Sequence, residues 1–240
     1  MSKTKITLLT LGHMPPEFDK KKILKFRSSI FEIIGEIESY SLTKNSDGNS
    51  WEFYDSTFES EVPKVFNSDF LICIVNVPLQ LNWYSRRLSG NRVVFTFYEI
   101  KEYLKKENIP IENVLLRMLN SYTLLYKRSN NTIPKTTDHT NYTHDETRGC
   151  LFDMNGVKHD IIVSCNSPII CPDCIQRMKV ERVSEEVISR CRKDIRKIRK
   201  TLFYRITDFI KIYPIFSLSI SSGFAITLSI FASYIYDLMK

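Results

Sequence analysis

The chain has 240 residues, of which 43% are hydrophobic and 25% are charged. This composition predicts one or two folded domains and excludes a disordered or low-complexity protein. The formal net charge is +7, and residues 177–211 alone hold twelve Lys and Arg against five Asp and Glu. The excess positive charge therefore lies in one segment of an otherwise neutral chain.

Residues 1–142 predict a mixed α/β domain. Short runs rich in β-branched and aromatic residues predict strands at 6–11, 70–77 and 92–97. Apolar residues at three- and four-residue spacing predict helices at 20–34, 98–106 and 111–126. The polar stretch 129–142 predicts a loop.

Aromatic and basic residues alternate between the second and third predicted strands. Aromatic rings can stack on a base, and guanidinium groups bind phosphate, so this composition suits a nucleotide or oligonucleotide signal. A contact between subunits would suit the same residues. The candidate ligand-binding residues are Trp83, Tyr84, Arg86 and Arg87.

Residues 143–178 contain four of the six cysteines and predict a small zinc-binding unit. Asn155-Gly156 is a strong signal for a two-residue hairpin turn, which would place Cys150 opposite Ile161. In that register Cys150 and Cys165 lie on the same face of the hairpin.

Cys171-Pro-Asp-Cys174 directs two thiolates to one point, and tetrahedral zinc requires two further ligands. Cys150 is the expected third ligand. The fourth position has three candidates, which are Asp145, His144 and Cys165. We therefore expect structural zinc, and thiols rather than disulfides in a reducing compartment.

In order and spacing, these residues resemble archaemetzincin-type metalloproteases, in which H-C-x4-C-x-M is followed by C-x2-C. Here Asp145 replaces the first Cys of that pattern and Phe152 replaces its Met. The resemblance implies a structural zinc held by Asp145, Cys150, Cys171 and Cys174. It also implies that His144 corresponds to the last catalytic histidine of that family.

The catalytic motif of such a protease is missing from the sequence. H-E-x-x-H places two imidazoles one helical turn apart, with the Glu as general base. The other histidines are His13, His139 and His159, no two of them four residues apart, and the predicted helix at 111–126 contains none. The resemblance therefore implies a metzincin-like scaffold without enzymatic activity, and a membrane-tethered metal-dependent hydrolase is the alternative.

Residues 179–211 predict a basic amphipathic helix. Apolar residues such as Val187, Cys191 and Ile195 recur at helical spacing, with basic residues between them. The basic face could contact anionic lipid headgroups or the phosphates of a nucleic acid or nucleotide, and the apolar segment that follows favours headgroups. The candidate residues are Arg190, Lys193, Arg196, Lys197 and Lys200.

Residues 212–238 predict a transmembrane helix. Ile212 to Tyr236 carry no charge, and a helix of that length spans about 37 Å, more than the roughly 30 Å hydrocarbon core of a bilayer. Pro214 predicts a bend at its start. A buried core helix is the alternative, because seven hydroxyl side chains dilute the stretch.

The charge asymmetry predicts the orientation of this helix. Basic residues on its N-terminal side favour a cytoplasmic location for the bulk of the chain, at the bacterial inner membrane. The apolar run near the N-terminus is short, so we expect no secretory signal there.

Small residues repeat along the predicted span and would let two helices approach closely in lipid. They are Ser219, Ser221, Gly223, Ala225, Ser229 and Ser233. The stripe favours a homo-oligomer, with spans packed around a serine-lined pore. A plain membrane anchor with incidental serines is the alternative.

A cytosolic domain with structural zinc, a basic connector and one span resembles the membrane effectors of bacterial anti-phage (antiviral) defence. In those proteins a soluble domain senses a partner or a nucleotide-type signal, and the spans then permeabilise the inner membrane. The resemblance implies an oligomeric pore or ion channel gated through the cytosolic domain. The alternatives are the hydrolase and a passive membrane adaptor.

Overall fold

The structure is a computed structural model that describes residues 2–138 and 140–240, so His139 lies outside the described residues. The chain divides into two compact units, residues 1–199 and 200–240. The segments expected as separate domains at 1–142 and 143–178 both belong to the first unit.

The first unit is built on a six-stranded sheet. Its order is β2-β1-β4-β6-β5, with β3 also paired to β1, and only the β5–β6 pair is antiparallel. The central strand β4 (FLICIV) is buried along its whole length, as expected for a strand covered on both faces. The strands are β1 (Thr4–Leu11), β2 (Phe31–Ile33), β3 (Glu38–Tyr40), β4 (Phe70–Val75), β5 (Ser85–Leu88) and β6 (Arg92–Thr96).

Six α-helices accompany the sheet in this unit, and two short 3-10 helices lie at Gln80–Asn82 and Lys158–Cys165. The larger hydrophobic core lies on one face of the sheet and includes the buried α4, while the smaller core on the other face includes Phe58 of α2. The helices are α1 (Lys20–Lys25), α2 (Asp55–Glu61), α3 (Ile100–Lys106), α4 (Glu112–Arg128), α5 (Pro172–Val180) and α6 (Glu185–Ile195).

The mixed α/β class is confirmed, and the predicted strands at 6–11, 70–77 and 92–97 correspond to β1, β4 and β6. The prediction of one helix over 20–34 is wrong, because α1 ends at Lys25 and the chain continues into β2. The Ser28 hydroxyl accepts hydrogen bonds from the N–H groups of Ile30 and Phe31. These local bonds favour a turn over a helix.

The predicted hairpin at Asn155-Gly156 is also wrong. Asn155 has a positive φ of 52°, but Gly156 does not have a positive φ, so the type I′ turn that requires both is not formed. The chain enters the 3-10 helix at Lys158–Cys165 instead of a second strand. Cys150 consequently pairs with Ile169 and not with Ile161.

The single basic helix expected over 179–211 is interrupted. Helix α6 ends at Ile195, and α7 (Leu202–Ile212) begins in the second unit. The carbonyl of Ile198 accepts the N–H of Ser167, at 2.7 Å, instead of continuing a helix.

The second unit consists of α7 and α8 (Pro214–Leu238). Tyr213 between them has φ −124° and ψ 62°, which is not helical, and Pro214 is the first residue of α8, where proline is tolerated. Helix α8 is long and apolar enough to cross a membrane, with a mean hydropathy of 1.8 and only 6% of its most apolar window buried.

Several hydroxyl groups of α8 donate hydrogen bonds within the helix itself. Ser219 donates to the carbonyl of Ile215, Ser221 to Ser217, and Ser233 to Ser229. Back-bonding of this kind removes most of the cost of placing a hydroxyl in an apolar environment. The serines of this segment are therefore compatible with an apolar surrounding.

Candidate metal centre and ligand cavity

Four side chains converge in the first unit and can hold a metal ion. They are His144, Cys150, Cys171 and Cys174, whose ligand atoms all lie within 4.8 Å of one another. His144 Nε2 lies 3.6 Å from Cys171 Sγ. With metal–sulfur bonds of about 2.3 Å, tetrahedral geometry places ligand atoms roughly 3.7 Å apart, so the four donors fit.

Backbone pairing brings these residues together from distant parts of the sequence. The N–H of Leu151 donates to Ile169 O, and the N–H of His144 donates to Phe152 O. Pro172 begins α5 directly after Cys171, so Cys174 lies in the first turn of that helix. The Cys-x-x-Cys spacing thus directs both thiols to one point.

Hydrogen bonds to sulfur prepare Cys150 as a thiolate. The thiol of Cys174 donates to it, and the N–H groups of Cys171 and Phe152 approach its Sγ at 3.4 and 3.5 Å. Together these bonds lower the pKa of Cys150 below its usual value, although burial opposes ionisation. Donation to Cys150 raises the pKa of Cys174. The thiolate is the form that ligates metal.

A hydrogen bond to a backbone carbonyl orients the imidazole of His144. Its Nδ1 lies 3.0 Å from the backbone carbonyl oxygen of Glu146, which can only accept a hydrogen bond. Nδ1 is therefore the protonated nitrogen, and the lone pair of Nε2 faces the cysteines. Metal-binding histidines are commonly oriented in this way.

Two buried charged residues lie behind the cluster. Asp153 Oδ2 accepts the N–H groups of Arg148 and Cys150, while Oδ1 lies 3.6 Å from His144 Nε2 and has no hydrogen-bond partner among the described residues. Arg117 of α4 donates to Ser164 Oγ at 2.7 Å and to the Asp153 carbonyl at 3.1 Å. The buried guanidinium is thus held by a hydroxyl and by a backbone carbonyl.

The structure places three of the four ligands implied by the archaemetzincin resemblance in this cluster. The fourth position holds His144, and the side chain of Asp145 is exposed and outside the cluster. His144 pairs with Asp153 in a short bridge, so alternation directs its neighbour away. Cys165 is buried elsewhere, at the end of the 3-10 helix, because the hairpin that would have presented it is not formed.

The predicted ligand-binding residues line a second site, a cavity of about 410 Å³. Trp83, Tyr84, Arg86 and Arg87 all contribute, and the structure adds Tyr122, Tyr142 and Thr136. No local motif identifies the added residues. Tyr122 belongs to the apolar stripe of α4 and therefore resembles a core residue, and Thr136 and Tyr142 lie in a polar loop.

The two arginines of this cavity differ in their partners. Arg86 makes two hydrogen bonds to Asp55, from Nε at 2.8 Å and from Nη2 at 2.7 Å. The Nη1 atom of Arg87 is buried and has no hydrogen-bond partner in the described part of the chain. Of the two, Arg86 is therefore neutralised by a carboxylate, and Arg87 lines the cavity with a guanidinium nitrogen that has no protein partner among the described residues.

Three of the five predicted phosphate or headgroup residues have protein partners. Arg190 forms an ion pair with Glu186, Lys197 with Asp194, and Lys200 with Asp208. Lys193 and Arg196 are exposed on the surface of the first unit.

Comparison of this chain with protein-family models, with curated proteins and with solved structures finds no match.

Proposed function

We propose that this chain is a membrane-anchored effector of bacterial anti-phage defence. Helix α8 crosses the inner membrane, the first unit lies in the cytoplasm, and the spans of several copies form a pore or ion channel. A ligand bound to the cytosolic unit controls this pore. The apolar helix α8 carries the proposal, because its length, hydropathy and self-satisfied hydroxyls suit lipid.

The cavity lined by Trp83, Tyr84, Arg86 and Arg87, here called the aromatic cavity, supplies the ligand site in this proposal. Its tyrosines and Trp83 offer ring faces for a base, and Arg87, which lines the cavity, supplies positive charge for phosphate. These features favour a nucleotide-type anion. Binding would then shift an equilibrium between closed and open packings of the spans.

The metal centre has a structural role in this proposal, and zinc is the metal. One imidazole and three thiolates form a closed set with no ligand position left for a substrate, as is typical of structural zinc sites. His144, Cys150, Cys171 and Cys174 would join the loop after α4 to the start of α5. A tethered hydrolase would need an open metal position, and this donor set does not favour one.

Leakage of a dye across reconstituted membranes tests the proposal. Purified full-length protein is reconstituted into liposomes that contain a self-quenching dye. The liposomes are then exposed separately to ATP, GTP and a cyclic dinucleotide. We expect at least one nucleotide to increase leakage, and Arg87→Gln to abolish that increase. Arg182→Gln, which removes an exposed arginine outside the cavity, is the matched control and should behave as the unaltered protein.

Absence of leakage under all these conditions would refute the nucleotide-gated pore. A passive adaptor would give that result while still associating with the liposomes. Leakage that Arg87→Gln leaves unchanged would retain the pore and refute the cavity as its control site.

A further inference from the structure

A second concave surface, here called the arginine groove, lies on the first unit and shares no lining residue with the aromatic cavity. It has a volume of about 420 Å³. One wall is the segment that precedes the metal ligand Cys171, and the other is the C-terminal end of α6 with the residues after it. The lining residues are Ser167, Pro168, Ile169, Ile170, Arg192, Ile195, Arg196 and Arg199.

Three guanidinium groups share this groove. Arg192 lies in the last turn of α6, Arg196 is the residue that caps its C-terminus, and Arg199 follows in the irregular segment after the helix. All three line the same groove. All three are exposed, and none forms an ion pair or side-chain hydrogen bond with another described residue. Their neighbours Arg190 and Lys197 are both paired with carboxylates.

The groove has no compensating negative charge. None of its lining residues is Asp or Glu. Three like charges held close together repel one another, and an anion between them relieves this repulsion. Arginine also presents parallel N–H donors that match phosphate oxygens.

Hydrogen bonds hold both walls of the groove in place. The N–H of Ser167 donates to Ile198 O at 2.7 Å, and the N–H of Ile169 donates to Gly149 O at 2.9 Å. Ile195 and Ile198 are buried in the core and fix the α6 side. The concave surface is therefore part of the fold and does not depend on a mobile side chain for its shape.

We propose that the arginine groove binds a phosphate group, carried either by a lipid headgroup or by a small soluble phosphate. Pro168 and the half-exposed Ile169 give it an apolar wall beside the charges, which suits an amphiphilic phosphodiester. This site shares only Arg196 with the five residues that the sequence predicted. It requires neither a pore nor a ligand in the aromatic cavity.

Phosphorus-31 NMR of the full-length protein in non-ionic detergent tests this proposal. One arm adds inorganic phosphate, and the other adds phosphatidylglycerol to the micelles, with phosphatidylcholine as the neutral comparison. We expect line broadening in at least one anionic arm. Arg192→Gln, Arg196→Gln and Arg199→Gln combined should weaken binding on the order of 100-fold, because each basic residue near an anionic surface contributes about 1 kcal/mol and about 1.4 kcal/mol corresponds to a factor of ten.

The control variant combines Lys21→Gln, Lys25→Gln and Lys106→Gln. It has the same loss of charge, and these exposed lysines lie on α1 and α3, outside the groove. It should bind as the unaltered protein does. Broadening only with phosphatidylglycerol assigns a lipid headgroup, and broadening with inorganic phosphate assigns a soluble phosphate.

Either of two results would overturn the proposal. One is no binding of the unaltered protein in both anionic arms. The other is an equal loss of binding in the groove variant and the lysine variant, which would reduce the effect to net charge. Both results leave the liposome experiment on the aromatic cavity unaffected, so the two proposals fail separately.

Discussion

Arg117 and Asp153 place ionisable groups in the interior of the first unit, where an unpaired charge is costly. Arg117 is 1% exposed and Asp153 is 0% exposed, and the Arg117 guanidinium donates to the Asp153 carbonyl. Asp153 Oδ2 in turn accepts the N–H of Cys150. These bonds connect α4 to the candidate metal centre and give both buried charged residues hydrogen-bond partners.

The identity of the fourth metal ligand leads to the first prediction. We expect about one zinc per chain in the purified protein, and Cys174→Ser or His144→Asn should remove most of it, because a tetrahedral site needs all four donors. Asp145→Asn and Cys165→Ala are the controls and should retain the metal, since neither residue belongs to the cluster. Elemental analysis of the purified variants measures this directly. Loss of zinc in Asp145→Asn with retention in His144→Asn would contradict the ligand set.

Glu59 leads to a prediction about pH. Burial disfavours its ionised form, but hydrogen bonds from the N–H and hydroxyl of Ser89 and the charge of Arg92 outweigh burial and lower its pKa. A carboxyl whose pKa is lower in the folded state stabilises the fold above its unfolded pKa. This contribution is lost as the pH falls through the folded value.

Glu59→Gln should therefore lower the stability of the first unit at pH 7, by about 2 kcal/mol for a lost charged hydrogen bond. The difference from the unaltered protein should shrink as the pH falls below about 4.5, the ordinary pKa of Glu. Thermal unfolding of both proteins at pH 7 and at pH 3.5 measures this. A difference that stays constant with pH would show that ionisation of Glu59 does not stabilise the fold.

At the scale of elements, the helices and strands that the sequence predicted correctly are those with unambiguous periodicity. The buried β4 (FLICIV) and the long apolar stripe of α4 leave no competing assignment. Segment 20–34 was misassigned because its apolar spacing suits a helix, whereas Ser28 and Ser29 bond to the distant Asp194. Contacts between residues so far apart in the chain cannot be predicted from the local sequence.

The candidate site shows the same division. Cys150, Cys171 and Cys174 were predictable because Cys-x-x-Cys spacing has a geometric reason. Whether His144 or Asp145 is the fourth ligand depends on which of them pairs with Asp153. The sequence could not show this pairing, because Asn155-Gly156 predicts a hairpin that the chain does not form. The full lining of the aromatic cavity could not be predicted from the sequence, because Tyr122 and Thr136 come to it from separate parts of the chain.

Helix α8 leads to the third prediction. Its small residues recur every four positions on one face, and close packing of helices in lipid depends on such residues. Ala225→Leu with Ser229→Leu should weaken self-association on the order of tenfold, by separating the helix backbones. Ile226→Leu with Ile230→Leu keeps side-chain volume on other faces and should leave association unchanged. Crosslinking in detergent over a dilution series compares them, and equal association of both variants would exclude the stripe as the interface.

At the scale of the whole molecule, the two units differ in the surfaces they present. The first unit buries its apolar residues in two clusters around the sheet, whereas α8 exposes nearly all of its own. An exposed apolar helix of 25 residues is unfavourable in water. The same helix is favourable in lipid, and in the proposed function the basic residues that precede it keep the first unit on the cytoplasmic side.

Membrane integration of the full-length protein is the most direct test of this account. Cells that express it are lysed without detergent, and the membranes are washed at alkaline pH to remove peripheral proteins. We predict that the protein stays with the washed membranes and is released only by detergent, and that protease added outside intact spheroplasts leaves the first unit uncut. Recovery of the full-length chain in the soluble fraction before the wash would contradict the account.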